Sequence, residues 1–305
     1  MQLFVEQLLN GVQFGVMLFL MAAGLTLIFG AMGVINLAHG SLYMIGAYGA
    51  AFAGARTGSF VLAILAGCAA AALAGVLIEL AVIRRLYTRN HLDQVLATFG
   101  LILFCNEGTA MLFGREPLFS EIPPQLTGSV PLLLGITYPV YRILIIAVGL
   151  VIALLLYLLL QKTRIGMLVR AGATHRDIVR ALGVSIRALF TLIFGLGACL
   201  AGLAGAIAGP LLSVQVGMGE QILILTLVVI VIGGVGSVRG AFVGALIVGV
   251  TDTMIRIFLP GFLLLFLSNT EGADALAAGL SSMSVYLLMA AVLLWRPRGL
   301  FAAYD

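Results

Sequence analysis

Residues 162 to 187, KTRIGMLVRAGATHRDIVRALGVSIR, decide the architecture, because this long stretch cannot stay in a membrane while the runs on either side must. Six of the sixteen basic residues fall here, Lys162, Arg164, Arg170, Arg176, Arg180 and Arg187, against one acid, Asp177. A basic loop of this kind belongs to the cytoplasmic face. Thr163 is the earliest cap for a first helix, and a turn is expected near Gly172. In a second helix the Thr174 hydroxyl would accept from the amide of Asp177 while Asp177 reaches back, an acidic variant of the capping box, and Gly183 supplies a left-handed stop. The span between them is roughly 12 Å at 1.5 Å per residue. Ile178, Val179 and Leu182 share one face, and Arg176 and Arg180 stack on another. A short amphipathic helix with an apolar ridge and a basic flank suits docking into a groove on another protein. The alternative is a basic loop that touches anionic lipid.

With 62% apolar residues and only 9% charged, the chain cannot dress a soluble globule in polar surface. It reads as an all-α polytopic membrane protein. The net charge of +4 resides largely in loops, so it reports orientation and does not point to nucleic acid. Cys68, Cys105 and Cys199 sit in apolar runs without metal-ligand spacing and read as small buried hydrophobes. The opening MQLFVEQLLNG carries Glu6 and no basic residue, the wrong composition for a cleaved leader, so the first span is expected to be retained. No GxxxxGK[ST] loop occurs and no soluble segment could house a nucleotide-binding domain. Energy from ATP would have to come from a separate chain, and no cofactor is expected on this one.

Runs able to cross a core about 30 Å thick lie near residues 8 to 30, 34 to 55, 60 to 83, 93 to 113, 141 to 160, 188 to 209, 222 to 258 and 276 to 295. The seventh is too long for one helix and is interrupted by Gly233, Gly234, Gly236 and Gly240, giving eight or nine crossings in a single transmembrane domain, 1 to 305. Arg84, Arg85 and Arg89, the 162 to 187 loop, and Arg296 with Arg298 mark the cytoplasmic side. The stretch near 114 to 140 and the one holding Glu271 and Asp274 then face outward, with the amino terminus outside and the carboxyl terminus in the cytoplasm. Small residues recur every fourth position at Gly46, Ala50 and Gly54; Gly67, Ala71 and Gly75; Ala201, Gly205 and Gly209; and Gly236, Gly240 and Gly244. Such stripes allow close helix packing and say nothing about substrate.

GAMGVINLAHG, from Gly30 to Gly40, and GGVGSVRG, from Gly233 to Gly240, each break an apolar run with glycines and polar groups. Interrupted spans in two halves point to a translocation path, because unwound backbone at membrane depth must line a cavity or be covered by protein. The candidate path residues are Asn36, His39, Gly40, Asn106, Glu107, Gly233, Gly234, Gly236 and Ser237. Asp252 and Arg256, one turn apart, are expected to neutralise each other. Glu79 is close enough to Arg84 to snorkel. Glu107 lacks a basic neighbour at i±3 or i±4, so it is expected to pair with another helix or to be neutral. His39 reads as a packed histidine. The serines lack a facing histidine and acid, and His39, His91 and His175 have no ligand-like spacing, so an enzyme is not expected.

Along nearly its whole length the chain resembles the membrane subunits of bacterial ABC importers for branched-chain amino acids, specifically the shorter of the two permeases. The resemblance rests on GLTLIFGAMGVINLAHGSLYMIGAY (24 to 48), LATFGLILF (96 to 104), TRIGMLVRAGATHRDIVRALGVS (163 to 185), GACLAGLAGAIAGP (197 to 210), VIGGVGSVRGAFVGALIVG (231 to 249) and RPRGLF (296 to 301). Arg239 stands where the family commonly has proline. The resemblance implies an inner-membrane location and makes 162 to 187 the coupling segment that meets cytoplasmic ATP-binding subunits, with Thr174, Arg176, Asp177, Ile178, Val179, Arg180, Leu182 and Gly183 at the contact. It also implies an extracytoplasmic solute-binding protein and a second permease subunit or a second copy. The alternative cargoes are urea and short amides, and the alternative class is an ion-driven secondary transporter or channel.

Overall fold

The computed structural model describes residues 1–131, 135–174, 176–265 and 270–301, with the side chains of 173–177 and 270–273 left out of the description. Twelve α-helices and one two-stranded hairpin make up the described regular structure, apart from single turns of π and 3-10 helix. Helix α1 (Gln2–Met32) is followed by an irregular break and α2 (His39–Thr57). Helix α3 (Phe60–Ile78) runs through a π turn (Glu79–Ile83) into α4 (Arg84–Leu86), and α5 spans His91–Phe113. After the hairpin of β1 (Ser129–Pro131) and β2 (Thr137–Pro139), paired antiparallel with Val130 opposite Tyr138, comes α6 (Val140–Lys162). The short helices α7 (Arg164–Thr174) and α8 (Arg176–Ala181) precede α9 (Ile186–Ala208), α10 (Met218–Gly233), α11 (Val238–Leu263) and α12 (Thr270–Trp295).

Seven of the described helices are long and apolar enough to cross a membrane, where sequence reading expected eight or nine crossings. The shortfall has two sources. Helix α2 is 19 residues long but diluted by glycine and polar side chains, and α10 has only 16 residues. The over-long run near 222 to 258 does divide, between Gly233 and Val238. Helix starts follow elementary capping: Ser59 Oγ accepts from Leu62 N at 3.5 Å, Asn90 Oδ1 from Asp93 N at 2.8 Å, and Ser237 Oγ from Gly240 N at 3.1 Å.

The chain forms two compact units, one of Met1–Phe19, Pro123–Leu150 and Leu225–Asp305, the other of Leu20–Ile122 and Val151–Ile224. In the second unit three of the small-residue stripes converge. A Cβ on Gly67 of α3 would stand 2.5 Å from the Gly46 carbonyl of α2 and 3.1 Å from Ala206 of α9, and Gly46 lies directly against Gly202. Cys68 and Cys199, half-buried rather than buried, meet thiol to thiol across the same α3 and α9 contact. In the first unit the same chemistry recurs on α1, where a Cβ on Gly15 would stand 2.7 Å from the Ala245 carbonyl and one on Gly11 2.8 Å from Val250 Cα. Phe19 packs edge-on to Phe242 with ring centroids 5.0 Å apart.

Element order also corrects the pairing of the two glycine breaks. The series of helix, break, shorter helix, Gly-Ser turn and long helix occurs twice, as α1, 33–38, α2, Gly58-Ser59, α3 and as α9, 209–217, α10, Gly236-Ser237, α11. Gly58 and Gly236 have φ of 63° and 83°, and each precedes a serine that caps the next helix. The partner of Gly30 to Gly40 in this order is therefore 209–219, whereas Gly233 to Gly240 corresponds to the turn at Gly58. A short motif match missed this because the two breaks agree only at their terminal glycines and the two turns share only two residues.

Because α2, α3 and α9 touch through backbone, a side chain there has no space to enter. Gly46→Val should cost about 1 to 3 kcal/mol by overpacking, whereas Gly108→Ala, on a helix face with nothing within 4 Å, should be neutral or stabilising by up to about 1 kcal/mol. Melting temperatures of the two purified variants in detergent check this.

Candidate functional site

Within the second unit the two breaks meet. Gly40 at the start of α2 and Gly219 at the start of α10 abut backbone to backbone, with Leu223 Cβ 3.3 Å from where a Cβ on Gly40 would lie. Asn36, 2% exposed, turns its Oδ1 back to accept from Ala38 N at 3.1 Å and so shapes the entry into α2. Ile35 N donates to Gln94 Oε1 at 3.2 Å, and Gln94 Nε2 donates to the carbonyls of Leu86 and Arg89. The first break is thus tied to the end of the membrane helix that carries the arginines. His39 is fully buried, and a Cβ on Gly24 would be 3.0 Å from its Nε2. It is packed, as its surroundings in sequence suggested.

Asn106 Nδ2 donates to Glu220 Oε1 at 2.5 Å, joining α5 to the first turn of α10. Glu107 turns out otherwise than expected. Its partner is Arg115, 2.7 Å away and eight residues on, beyond the end of its own helix, and both side chains are exposed. Asp252 and Arg256 do form the expected pair, at 2.8 Å.

The glycine cluster of the first unit is covered by the chain's own carboxyl end. Leu300 N donates to Ile232 O and Phe301 N to Gly233 O, each at 2.9 Å, and a Cβ on Gly299 would be 2.6 Å from Gly234 Cα. Gly233 and Gly234 are buried, while Gly236 and Ser237 are half-exposed. Gly234, with φ of 103°, takes the left-handed conformation that only glycine adopts without strain.

In the basic segment, Thr163 Oγ1 accepts from Gly166 N at 3.2 Å, the expected cap of α7. Helix α7 continues through Gly172, where a turn had been expected, because Gly172 lies in a helix packed beside Ile186 and Leu189 at the start of α9. The Thr174 and Asp177 capping pair and the Arg176 side chain lie outside the described residues. Gly183 has φ of 84°, and Val184 N returns to Val179 O at 3.3 Å, closing the helix end. The apolar ridge divides: Val179 is 5% exposed and turned inward, whereas Ile178 is 59% and Leu182 77% exposed. Arg180 is exposed beside them, and Met167 on α7 is exposed as well.

Glu79 is the side chain that sequence reasoning misjudged. Instead of snorkelling it is wholly buried and accepts from Arg84 Nε and Nη2 at 3.1 Å, Tyr87 Oη at 2.6 Å and Thr191 Oγ1 at 2.9 Å. Tyr87 packs edge-on against Phe190, 5.4 Å between centroids. The π turn brings Arg84, five residues on, under the carboxylate, a spacing that an α-helical reading does not pair. Thr191 stands on α9 just after the basic segment, so the network ties the foot of α3 to the helix that α7 and α8 pack against. Glu220 was also missed, although a lone acid in the first turn of an apolar helix is a legible signal.

A family described as branched-chain amino acid transport system permease component matches residues 7–294. The high-affinity branched-chain amino acid transport system permease protein BraD of Pseudomonas aeruginosa is 30% identical, over 97% of this chain and 95% of its own length. The corresponding LivH of Escherichia coli K12 is 27% identical over 96% of each chain. A probable branched-chain amino acid permease LivH of Methanocaldococcus jannaschii is 28% identical over 80% of this chain and 78% of its own. No solved structure matches. The chain therefore belongs to the family of branched-chain amino acid transport permeases, membrane transport components and not enzymes.

Proposed function

We propose that this chain is a transmembrane permease subunit of an ABC importer that passes branched-chain amino acids from an extracytoplasmic binding protein to the cytoplasm, driven by separate ATP-binding subunits. The observation that carries this reading is the match over residues 7–294 to a permease family whose named relatives move these amino acids. The whole chain, 1 to 305, acts as one permease domain, a reading supported by α1, α6 and α10, which each run unbroken from one compact unit into the other. A second permease, different or identical, completes the path, and the assembly sits in a bacterial inner membrane.

Orientation follows from the arginines at one set of helix ends, Arg84, Arg85, Arg89, Arg296 and Arg298, together with the basic segment. The link from Ile35 to Gln94 supports the same reading, since it brings the end of α1 to those arginines and leaves the amino terminus outside. Energy coupling is assigned to α7 and α8. Ile178 and Leu182, four residues apart and exposed on an extramembrane helix, fill a groove on the ATPase subunit, and Arg180 lies at its rim. Val179 and Gly183 shape the helix from within, and Thr174, Arg176 and Asp177 complete the contact. Movement of this pair reaches the bundle through α9, where Thr191 grips Glu79. Within the second unit Asn36, His39, Gly40, Asn106 and Glu107 are assigned to one stretch of the path, and within the first unit Gly233, Gly234, Gly236 and Ser237 to another.

ATP-driven uptake of labelled leucine by the reconstituted complex, with urea and short amides as competing cargoes, tests the reading as a whole. Burying one leucine is worth about 1.5 to 3 kcal/mol, so Leu182→Asp should weaken ATPase docking by more than about tenfold while leaving membrane insertion unchanged. Co-purification of the ATPase subunits measures this. Glu79→Ala leaves Arg84 without its carboxylate and should destabilise the chain by about 3 kcal/mol, with Glu79→Gln milder. Uptake per ATP hydrolysed should fall in the glutamine variant, and a ratio equal to wild type would remove the network from the coupling route.

A further inference from the structure

Three buried or intramembrane acids have their cations: Glu79 has Arg84, Glu107 has Arg115 and Asp252 has Arg256. Glu220 does not. Among the described residues it forms no ion pair, and the single hydrogen bond to its side chain comes from Asn106, on one oxygen. Gly219 beside it is buried against Gly40, yet Glu220 itself is exposed. Asn106 lies seven residues before the end of α5 at Phe113, about 10 Å along the helix. An exposed carboxylate at that depth is driven out of lipid and must meet water or a cation.

The surroundings define the cation. No cluster of three histidine, cysteine or acidic side chains able to hold a metal occurs among the described residues. One carboxylate with one carboxamide suits a singly charged N–H donor. One turn along the same helix faces, Ile224 and Leu103 are about half exposed, 50% and 53%. A charged acceptor thus lies beside aliphatic surface, the complement of an amino acid that carries an ammonium group and a branched aliphatic side chain. Resting on the cargo and orientation argued above, we propose that Glu220, oriented by Asn106, receives the ammonium group of the cargo at the extracytoplasmic mouth of the path.

The test uses the complete reconstituted complex, with leucine as cargo, uptake and ATP hydrolysis measured in parallel, and Glu220→Gln, Glu220→Asp and Asn106→Ala as variants. Glu220→Gln should lower leucine uptake by about tenfold or more, the scale of one charge-assisted hydrogen bond. The complex should still assemble with its second permease and ATPase subunits. Glu220→Asp should keep most of the uptake, and Asn106→Ala should fall between. Wild-type leucine uptake in Glu220→Gln would overturn the assignment while leaving the cargo reading intact. Loss of the second permease from the Glu220→Gln complex would also overturn it, making Glu220 a subunit contact. A wild-type complex that carries urea or amides and no leucine would instead overturn the cargo reading, and the ammonium assignment with it.

Discussion

Backbone contact among α2, α3 and α9 is the constraint on which the second unit depends. Lipid tails are as apolar as leucine, so helices in a membrane gain little by hiding apolar side chains from one another, and attraction comes from dense packing. Gly46, Gly67 and Gly202 permit that density by letting main chains touch. The same chemistry fixes α1 against α11 in the first unit through Gly11, Gly15 and Gly249. Each cluster leaves its helices little freedom to shift singly, so movement during a transport cycle is expected to involve groups of helices.

Against that packing, every polar group in the membrane needs a reason to be there. Several are answered within the chain: the Oδ1 of Asn36 by the amide of Ala38, Gln94 by three backbone groups, and Glu79 by an arginine, a tyrosine and a threonine. The breaks at 33–38 and 209–217 are likewise supported, the first by Gln94 and the second by the bridge between Leu118 and Val214. Irregular backbone is tolerated at such depth because protein groups replace the missing helix hydrogen bonds. These breaks bring two helix starts together at Gly40 and Gly219, beside Glu220, which forms no ion pair among the described residues.

The basic segment and the Glu79 network share one end of the second unit. Helix α7 rests on the start of α9, and α9 contributes Thr191 to the carboxylate five residues before Arg84. A π turn holds that carboxylate in place. Its register allows a hydrogen-bonded contact between two helices that a regular α-helix would direct elsewhere. Helix α8 is thus joined to the packed helices through α9 and the bond from Thr191 to Glu79.

Much of this was legible in the sequence, because the bilayer imposes simple rules on composition. Apolar runs fixed an all-helical membrane protein, basic residues fixed which loops belong together, and Thr163, Gly183, Asp252 and Arg256 behave as local spacing requires. Periodicity could not count the crossings, since glycine-rich α2 and short α10 dilute the apolar signal on which counting rests. Nor could it separate Val179 from Ile178 and Leu182, because an isolated helix has no preferred neighbour and only packing chose which apolar side chain turned inward. Long-range partners were equally beyond it: Asn106 and Glu220 are 114 residues apart, and Glu79 and Thr191 112. Sequence by itself determined the medium, the helices and their caps, all set by interactions within a few residues. Tertiary structure alone decided the hydrogen bonds between distant helices, Asn106 to Glu220 and Thr191 to Glu79, because those depend on which helices packing brings together.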